Sequence, residues 1–225
     1  MNTVAWMPRR AALVRCAPFG LFMLLLALRG AAADHGWTDA RWLYALNLPL
    51  VGGLLWLWRH EYAELRNRPP LREALLAVAV GLLVFGLWVR LDAPWMQIGQ
   101  PSAAFMPLDG AGQPDWALIA VRTLGAALLV PVMEELFWRG FLMRWLEQPA
   151  FEAVDPRRVG LRAVLISTAL FMLAHTLWLA AIVAGLAYAL LYVRTGRLWN
   201  AVIAHAVTNG ALGAWVVATG NWQFW

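Results

Sequence analysis

The sequence contains no lysine, only one cysteine and few charged residues. Charged residues make up 14% of the 225 residues, whereas a typical soluble domain has roughly 25%. Hydrophobic residues make up 62%, which is more apolar surface than a soluble fold of this length needs. The composition therefore predicts an integral membrane protein. The single Cys16 excludes an intramolecular disulfide and a metal site built from several cysteines.

Because lysine is absent, all 18 basic side chains are arginines, and their positions follow a membrane topology. A net charge of +5 could also indicate nucleic-acid binding. The arginines, however, lie in alternate short connections between apolar segments, so we expect no nucleic-acid partner. The positive-inside rule places the N-terminus in the cytoplasm and the C-terminus outside. The arginine-rich composition is typical of GC-rich bacteria, so we predict a multi-pass protein of the bacterial cytoplasmic (inner) membrane.

Seven apolar segments can be drawn, and a count of six to eight is compatible with the sequence. They cover residues 11–29, 40–58, 71–90, 116–143, 162–178, 180–194 and 199–218. A helix needs about 20 residues to cross a bilayer. The sequence therefore predicts an all-α polytopic bundle of about seven spans, forming one domain over residues 1–225. The fourth segment is expected to be one long helix, or a helix kinked at Pro131.

Two parts of this topology have alternatives. The first segment and the AAAD sequence at 31–34 resemble a secretory signal peptide, although we favour an uncleaved first helix over removal of residues 1–33. Residues 91–115 form a long, proline-rich outer loop that is either a lid over a site or a surface excursion. The fifth and sixth segments have almost no connection, and we expect them to turn back in the outer half of the membrane beneath this loop.

Few ionisable residues lie within the apolar segments, and such residues usually face the interior of a helix bundle. Glu135 and Arg139 are four residues apart on one helix face, in the order that favours an ion pair. Glu134 is rotated by about 100° and is not committed to that arginine. One glutamate can therefore be structural while its neighbour is free for chemistry.

Histidines and an amide on two further spans extend this set. His205 and Asn209 are also four residues apart, so their N–H donors lie on one side of the last helix and could stabilise an oxyanion. His175 follows Phe171 by four residues, so the two rings share a face. Each residue alone has a simpler explanation. A histidine can form a hydrogen bond between helices, and a membrane boundary after residue 138 would let the charges of EELFWR reach the lipid headgroups. Their occurrence together on three spans favours one site.

Three motifs in the C-terminal half resemble a known family. The sequence reads EELFWR at 134–139, FMLAH at 171–175 and HAVTN at 205–209. This order of EExxxR, FxxxH and HxxxN resembles the CAAX-protease and bacteriocin-processing (CPBP, or Abi) family of intramembrane glutamic endopeptidases. The resemblance covers about residues 116–218, the expected catalytic helices. The overall composition also looks like the CAAX-protease-related proteins found near exosortase systems.

This resemblance implies a role for each residue. Glu134, assisted by His175, would activate a water molecule for attack on a peptide carbonyl. His205 and Asn209 would hold the oxyanion, while Glu135 and Arg139 form a supporting ion pair. The family implies no metal or other cofactor. The expected partners are the lipid bilayer and a membrane-anchored protein or peptide substrate.

Two other functions remain open at this stage. Glu134, His175 and His205 could instead bind zinc in a metal-dependent membrane protease, although the sequence lacks the HExxH motif. The polar cluster could also belong to a non-enzymatic transporter or immunity scaffold. The sequence shows no inverted repeat of the kind that many transporters have.

Overall fold

The computed structural model describes residues 10–36, 39–99 and 105–225. Arg9 and residues 100–104 of the predicted outer loop lie outside this range. The described chain is helical and contains seven α-helices where the sequence predicted seven segments. These are α1 Arg10–Asp34, α2 Asn47–Leu57, α3 Leu71–Trp88, α4 Trp116–Trp145, α5 Leu161–Leu173, α6 Trp178–Thr195 and α7 Leu198–Thr219.

Five of these helices, α1, α3, α4, α6 and α7, are long and apolar enough to cross a membrane. The all-α fold class is thereby confirmed, and the chain is a multi-pass membrane protein. The other two helices are shorter than predicted. A 3₁₀ segment, Ala40–Leu46, replaces the first part of the second segment, so α2 has only 11 residues. Helix α5 has 13 residues and ends at Leu173.

Helix α5 ends before His175 because the chain reverses there to enter α6. The N–H groups of Ala174 and His175 each donate to a carbonyl three residues earlier, which closes a tight turn. The predicted outer loop lies against this turn, as expected. Within the loop, the Ile98 N–H donates to the Thr176 carbonyl at 2.9 Å. The indole N–H of Trp178, at the start of α6, donates to the Trp95 carbonyl at 3.1 Å.

Helix α4 is continuous over 30 residues, as both alternatives for the fourth segment require. It contains two π-helical turns, Gly125–Leu129 and Leu136–Leu142, separated by the α-helical residues Val130–Glu135. Proline in a regular α-helix clashes with the carbonyl four residues earlier. The first π turn widens the helix immediately before Pro131. The helix therefore passes through this proline without ending.

Helices α3 and α7 approach each other closely at Gly81. A Cβ atom at this position would collide with the backbone carbonyl of Ala204, so no larger residue fits without movement of one helix. The Thr208 hydroxyl donates across the same contact to the Gly81 carbonyl at 2.9 Å. Small residues and hydroxyl groups commonly join helices in this way in membranes. The contact fixes the part of α7 that carries His205 and Asn209.

The arginine-rich connections meet at one end of the bundle. Arg15, near the start of α1, pairs with Glu64 of the α2–α3 connection at 2.7 Å. Arg144, at the end of α4, lies 3.4 Å from the same carboxylate. Arg197, just before α7, pairs with Glu73 of α3 at 2.7 Å. These contacts agree with the predicted alternation of arginine-rich and arginine-poor connections.

Candidate active site

A cavity of about 340 Å³ brings together the residues that the three motifs predicted. Glu134 of α4, His175 of the α5–α6 turn, and His205 and Asn209 of α7 all line it. The shortened α5 and the tight turn after it bring His175 to this cavity.

Glu135 and Arg139 form the ion pair that their spacing predicted. Arg139 Nη1 lies 2.9 Å from Glu135 Oε1, and both side chains are buried. His205 Nδ1 lies 2.9 Å from the same carboxylate oxygen. Glu135 therefore joins α4 to the histidine of α7. A buried ion pair of this kind requires additional hydrogen bonds to offset its desolvation.

Arg139 is also held by neighbours other than Glu135. Its Nη2 donates to the Gly185 carbonyl of α6 at 3.1 Å. Its guanidinium carbon lies 4.7 Å from the centroid of the Phe171 ring and 5.5 Å from that of Tyr188. Cation–π contacts gain strength when the cation is removed from water. The guanidinium thus ties together α4, α5 and α6 behind the cavity.

Glu134 differs from its neighbour because no described residue forms a hydrogen bond with its carboxylate. The residue is 8% exposed, and its Oε2 atom is buried without a partner. Burial of an unpaired carboxylate is unfavourable for folding. Such exceptions concentrate at functional sites, and Glu134 is one of the residues that line the cavity. Glu135 Oε2 is also without a partner, but its Oε1 accepts two hydrogen bonds.

His175 is fixed in one orientation although it lies beyond the end of α5. Its Nδ1 is 2.7 Å from the Phe171 carbonyl. A carbonyl can only accept, so Nδ1 carries the proton and Nε2 of the neutral ring is an acceptor. The imidazole lies 4.3 Å from the Phe171 ring and 5.8 Å from Trp88, between centroids. The predicted contact between Phe171 and His175 is confirmed, with a turn rather than a helix face as its cause.

His205 is stacked on Tyr188, with the ring centroids 5.0 Å apart and the planes 18° from parallel. The Tyr188 hydroxyl donates to Thr208 Oγ1 at 2.8 Å. Because Nδ1 of His205 faces the Glu135 carboxylate, it carries a proton. Nε2 can then act as a donor only when the imidazole is positively charged. An oxyanion role for His205 therefore requires the imidazolium form, which Glu135 is placed to stabilise.

Asn209 lines the cavity but has a further partner that the sequence did not indicate. Its Nδ2 lies 2.8 Å from the Ala126 carbonyl of α4. Since a carbonyl only accepts, one N–H of the amide donates to it, and the second N–H is available to donate to another acceptor. Asn209 thus links α7 to the first π turn of α4, in addition to any contact with substrate.

Sequence reasoning missed several residues of the cavity. No motif was matched in the first three segments, yet α1 contributes an apolar wall of Phe19, Phe22, Met23 and Leu26. Tyr188 and Thr208 support His205, although Tyr188 lies outside the three motifs and Thr208 occupies an unspecified position of HxxxN. Helical periodicity alone does not separate such residues from other core positions. The hydroxyl groups of Tyr188 and Thr208, on the largely apolar helices α6 and α7, were the sequence signal that could have indicated these two residues.

The zinc alternative requires Glu134, His175 and His205 to converge on one point. Among the described residues, no three histidine, cysteine, aspartate or glutamate side chains form a group that could hold a metal ion. His205 Nδ1 is directed to Glu135, and His175 Nδ1 to a backbone carbonyl. The three side chains share the cavity without forming a ligand set.

Comparison with known proteins gives one family match. Residues 116–211 match the family model described as type II CAAX prenyl endopeptidase Rce1-like. No curated protein and no solved structure matches the chain. The matched range contains all three motifs and the helices that carry them, and it confirms the resemblance that these motifs indicated. Residues 116–211 are therefore similar to the Rce1-like family of type II CAAX prenyl endopeptidases.

Proposed function

We propose that the chain is an intramembrane endopeptidase that hydrolyses a peptide bond in a membrane-anchored protein or peptide, using Glu134 to activate water. The family match supports endopeptidase activity in general. The observation that carries the glutamate mechanism is the buried carboxylate of Glu134, which has no hydrogen-bond partner among the described residues. It lies in the same cavity as His175, His205 and Asn209. Glu135, its neighbour, is occupied by Arg139 and His205.

In the first step, the Glu134 carboxylate accepts a proton from a water molecule as general base. His175 holds this water through Nε2, which is an acceptor because Nδ1 donates to the Phe171 carbonyl. The water oxygen forms a bond to the carbonyl carbon of the scissile peptide. The electron pair of the C=O bond moves to its oxygen, which becomes the oxyanion.

Two donors from α7 stabilise that oxyanion in the absence of bulk water. Asn209 supplies the amide N–H that is not bonded to Ala126. His205 supplies Nε2–H as an imidazolium whose Nδ1–H is held by Glu135. Loss of one such donor typically lowers kcat by about 10²–10³-fold.

In the second step, the protonated Glu134 returns its proton to the peptide nitrogen, and the C–N bond breaks. The oxyanion electron pair re-forms the C=O bond. The products are a new carboxyl terminus and a new amino terminus, so one water molecule is consumed and the site returns to its starting protonation state. No covalent enzyme intermediate is required.

The walls of the cavity support a membrane-anchored substrate. Met23 of α1 lines the cavity and is 42% exposed on the surface of the described bundle. Together with Phe19, Phe22 and Leu26, it forms an apolar face that an extended peptide or a lipid-anchored segment can contact. On the basis of the arginine distribution, we also propose that the N-terminus is cytoplasmic in a bacterial inner membrane.

The decisive experiment compares the protein termini of membrane fractions from cells that carry the wild type or Glu134→Gln. We expect precursors to accumulate, and their processed termini to disappear, in the variant. Glu152→Gln is the matched control, because this glutamate lies outside the cavity and its side chain is 56% exposed. Identical sets of termini in all three strains would contradict the proposal and favour a transporter or immunity scaffold.

A chelator separates the proposed mechanism from the zinc alternative. Cleavage of an accumulated precursor by the purified protein should be unaffected by prolonged incubation with a strong zinc chelator. Loss of activity that returns with added zinc would contradict the metal-independent mechanism. The zinc ligands of the alternative mechanism are the same side chains that act as catalytic residues in the proposed mechanism. Mutagenesis alone therefore does not distinguish the two mechanisms.

A further inference from the structure

The hydrogen bond between Asn209 and Ala126 depends on a missing donor in α4. Val130 N–H donates to the Gly125 carbonyl, five residues earlier, which is the π-helical pattern. In this pattern the next N–H, that of residue 131, would donate to the Ala126 carbonyl. Residue 131 is proline and has no N–H. The Ala126 carbonyl therefore lacks this partner, and the Asn209 amide donates to it at 2.8 Å.

The π turn also determines which residues of α4 face the cavity. Arg122, Ala126, Val130 and Glu134 all line it and are spaced by four residues. In a regular α-helix each step of four residues advances by about 40°, so the last of these positions would be about 120° away from the first. A π turn contains more residues than an α turn and removes much of this rotation. The same local structure thus directs Glu134 and exposes the Ala126 carbonyl.

We infer that Pro131 is a positioning residue for the proposed oxyanion site. It withholds an N–H from the Ala126 carbonyl, and that carbonyl then orients the Asn209 amide. One N–H of the amide is fixed on α4, and its second N–H is held toward the cavity. This inference rests on the proposed endopeptidase function, since an oriented donor matters only if an oxyanion forms. A purely structural bond between α4 and α7 is the competing explanation.

The test is a pair of substitutions at residue 131 that differ by one N–H group. Pro131→Ala introduces a backbone N–H that competes for the Ala126 carbonyl. Lactic acid, incorporated at position 131 by nonsense suppression, has the alanine side chain but an ester oxygen in place of the N–H. The substrate is a precursor that accumulates in cells carrying Glu134→Gln. We expect Pro131→Ala to lower kcat about tenfold to hundredfold with KM changed by less than about twofold.

The ester variant should recover most of the wild-type kcat, because it again leaves the carbonyl to Asn209. Pro131→Ala combined with Asn209→Ala should be no less active than Asn209→Ala alone, since both changes remove the same oriented donor. A structural role would instead lower the activity of the alanine and ester variants equally. It would also give additive losses in the double variant, and either result would overturn the inference.

A second measurement does not depend on activity. In protein labelled with ¹⁵N-asparagine, the Asn209 side-chain resonance, assigned by its loss in Asn209→Gln, should move in Pro131→Ala and return in the ester variant. An unmoved resonance would overturn the inference even if no substrate is found. If Pro131→Ala keeps the wild-type kcat while Glu134→Gln is inactive, the inference fails and the proposed function stands. If Glu134→Gln is fully active, the proposed function itself fails.

Discussion

Glu64 and Glu134 are both buried carboxylates, but their surroundings are opposite. Glu64 accepts two hydrogen bonds from Arg15, at 2.9 and 2.7 Å, and a longer one from Arg144 at 3.4 Å. Glu134 has no hydrogen-bond partner among the described residues, and its Oε2 is buried. We call the first group, Arg15, Glu64 and Arg144, the Glu64 cluster. It joins α1, the α2–α3 connection and α4, whereas Glu134 joins nothing.

The difference shows how one chain uses buried charge for two purposes. Removal of one member of a paired buried group leaves the other charge unsatisfied, so such a group contributes to the folded state. A buried carboxylate without a partner opposes folding and persists where chemistry requires it. The Glu64 cluster is therefore expected to control stability, and Glu134 to control activity.

The largest expected effect is on catalysis. Glu134→Gln should lower the rate of cleavage by about 10³-fold or more, because the neutral amide cannot accept a proton from water. The thermal midpoint in detergent should stay the same or rise, because no hydrogen bond of the fold is lost. A large fall in this midpoint would show that Glu134 has a structural role similar to that of Glu64.

The reverse pattern is expected for the Glu64 cluster. Glu64→Gln should destabilise the protein by about 3–5 kcal/mol, because the buried Arg15 loses its buried counter-charge and keeps only the exposed carboxylate of Glu152, at 3.7 Å. Cleavage per folded molecule should remain close to that of the wild type. The control is Glu61→Gln, which removes the exposed pair with Arg10 and should leave the unfolding midpoint nearly unchanged. Equal stability of the two variants would contradict this assignment.

Glu135 is an intermediate case, since it is paired and also belongs to the site. Glu135→Gln should destabilise the protein by about 1.5–3 kcal/mol through weaker hydrogen bonds to Arg139 and His205. It should also lower kcat about 10²-fold, because His205 is no longer held in place. Unfolding and kinetics of the same preparation measure both effects. If only the stability or only kcat decreased, Glu135 would support the fold or position His205, but not both.

The smallest expected effect is at Tyr188. Tyr188→Phe removes the hydroxyl that donates to Thr208 and should destabilise the protein by about 1 kcal/mol, while the ring still stacks on His205. Activity should change little. Tyr188→Leu removes the stacking as well and should lower kcat. If Tyr188→Phe were as inactive as Tyr188→Leu, the hydroxyl and not the ring would support the histidine.

Much of this arrangement could be predicted because it follows from regular spacing. The seven apolar segments correspond to seven helices, and five of these have the length that a bilayer requires. The interval between Glu135 and Arg139 predicted their ion pair, because residues four apart lie on one helix face. It also predicted that Glu134 would be separate from this pair. The placement of Glu134, His175, His205 and Asn209 in one cavity follows from the motif order.

The remaining features depend on departures from that spacing. No periodicity predicts the π turns of α4, and without them the partner of Asn209 could not be identified. The early end of α5 was also missed, because the apolar run continues past Leu173 while the chain already turns toward α6. The wall contributed by α1 is apolar, as most transmembrane residues are, so nothing in its sequence distinguishes a cavity lining from a lipid-facing surface.

The bond between Glu135 of α4 and His205 of α7 has a consequence for biosynthesis. The ribosome makes α1 and α4 before α7, and all three helices contribute residues to one cavity. A partly inserted chain already carries Glu134 but lacks both proposed oxyanion donors. Under the proposed mechanism, a chain that still lacks α7 therefore cannot cut its neighbours, and hydrolysis begins only after α7 has entered the membrane.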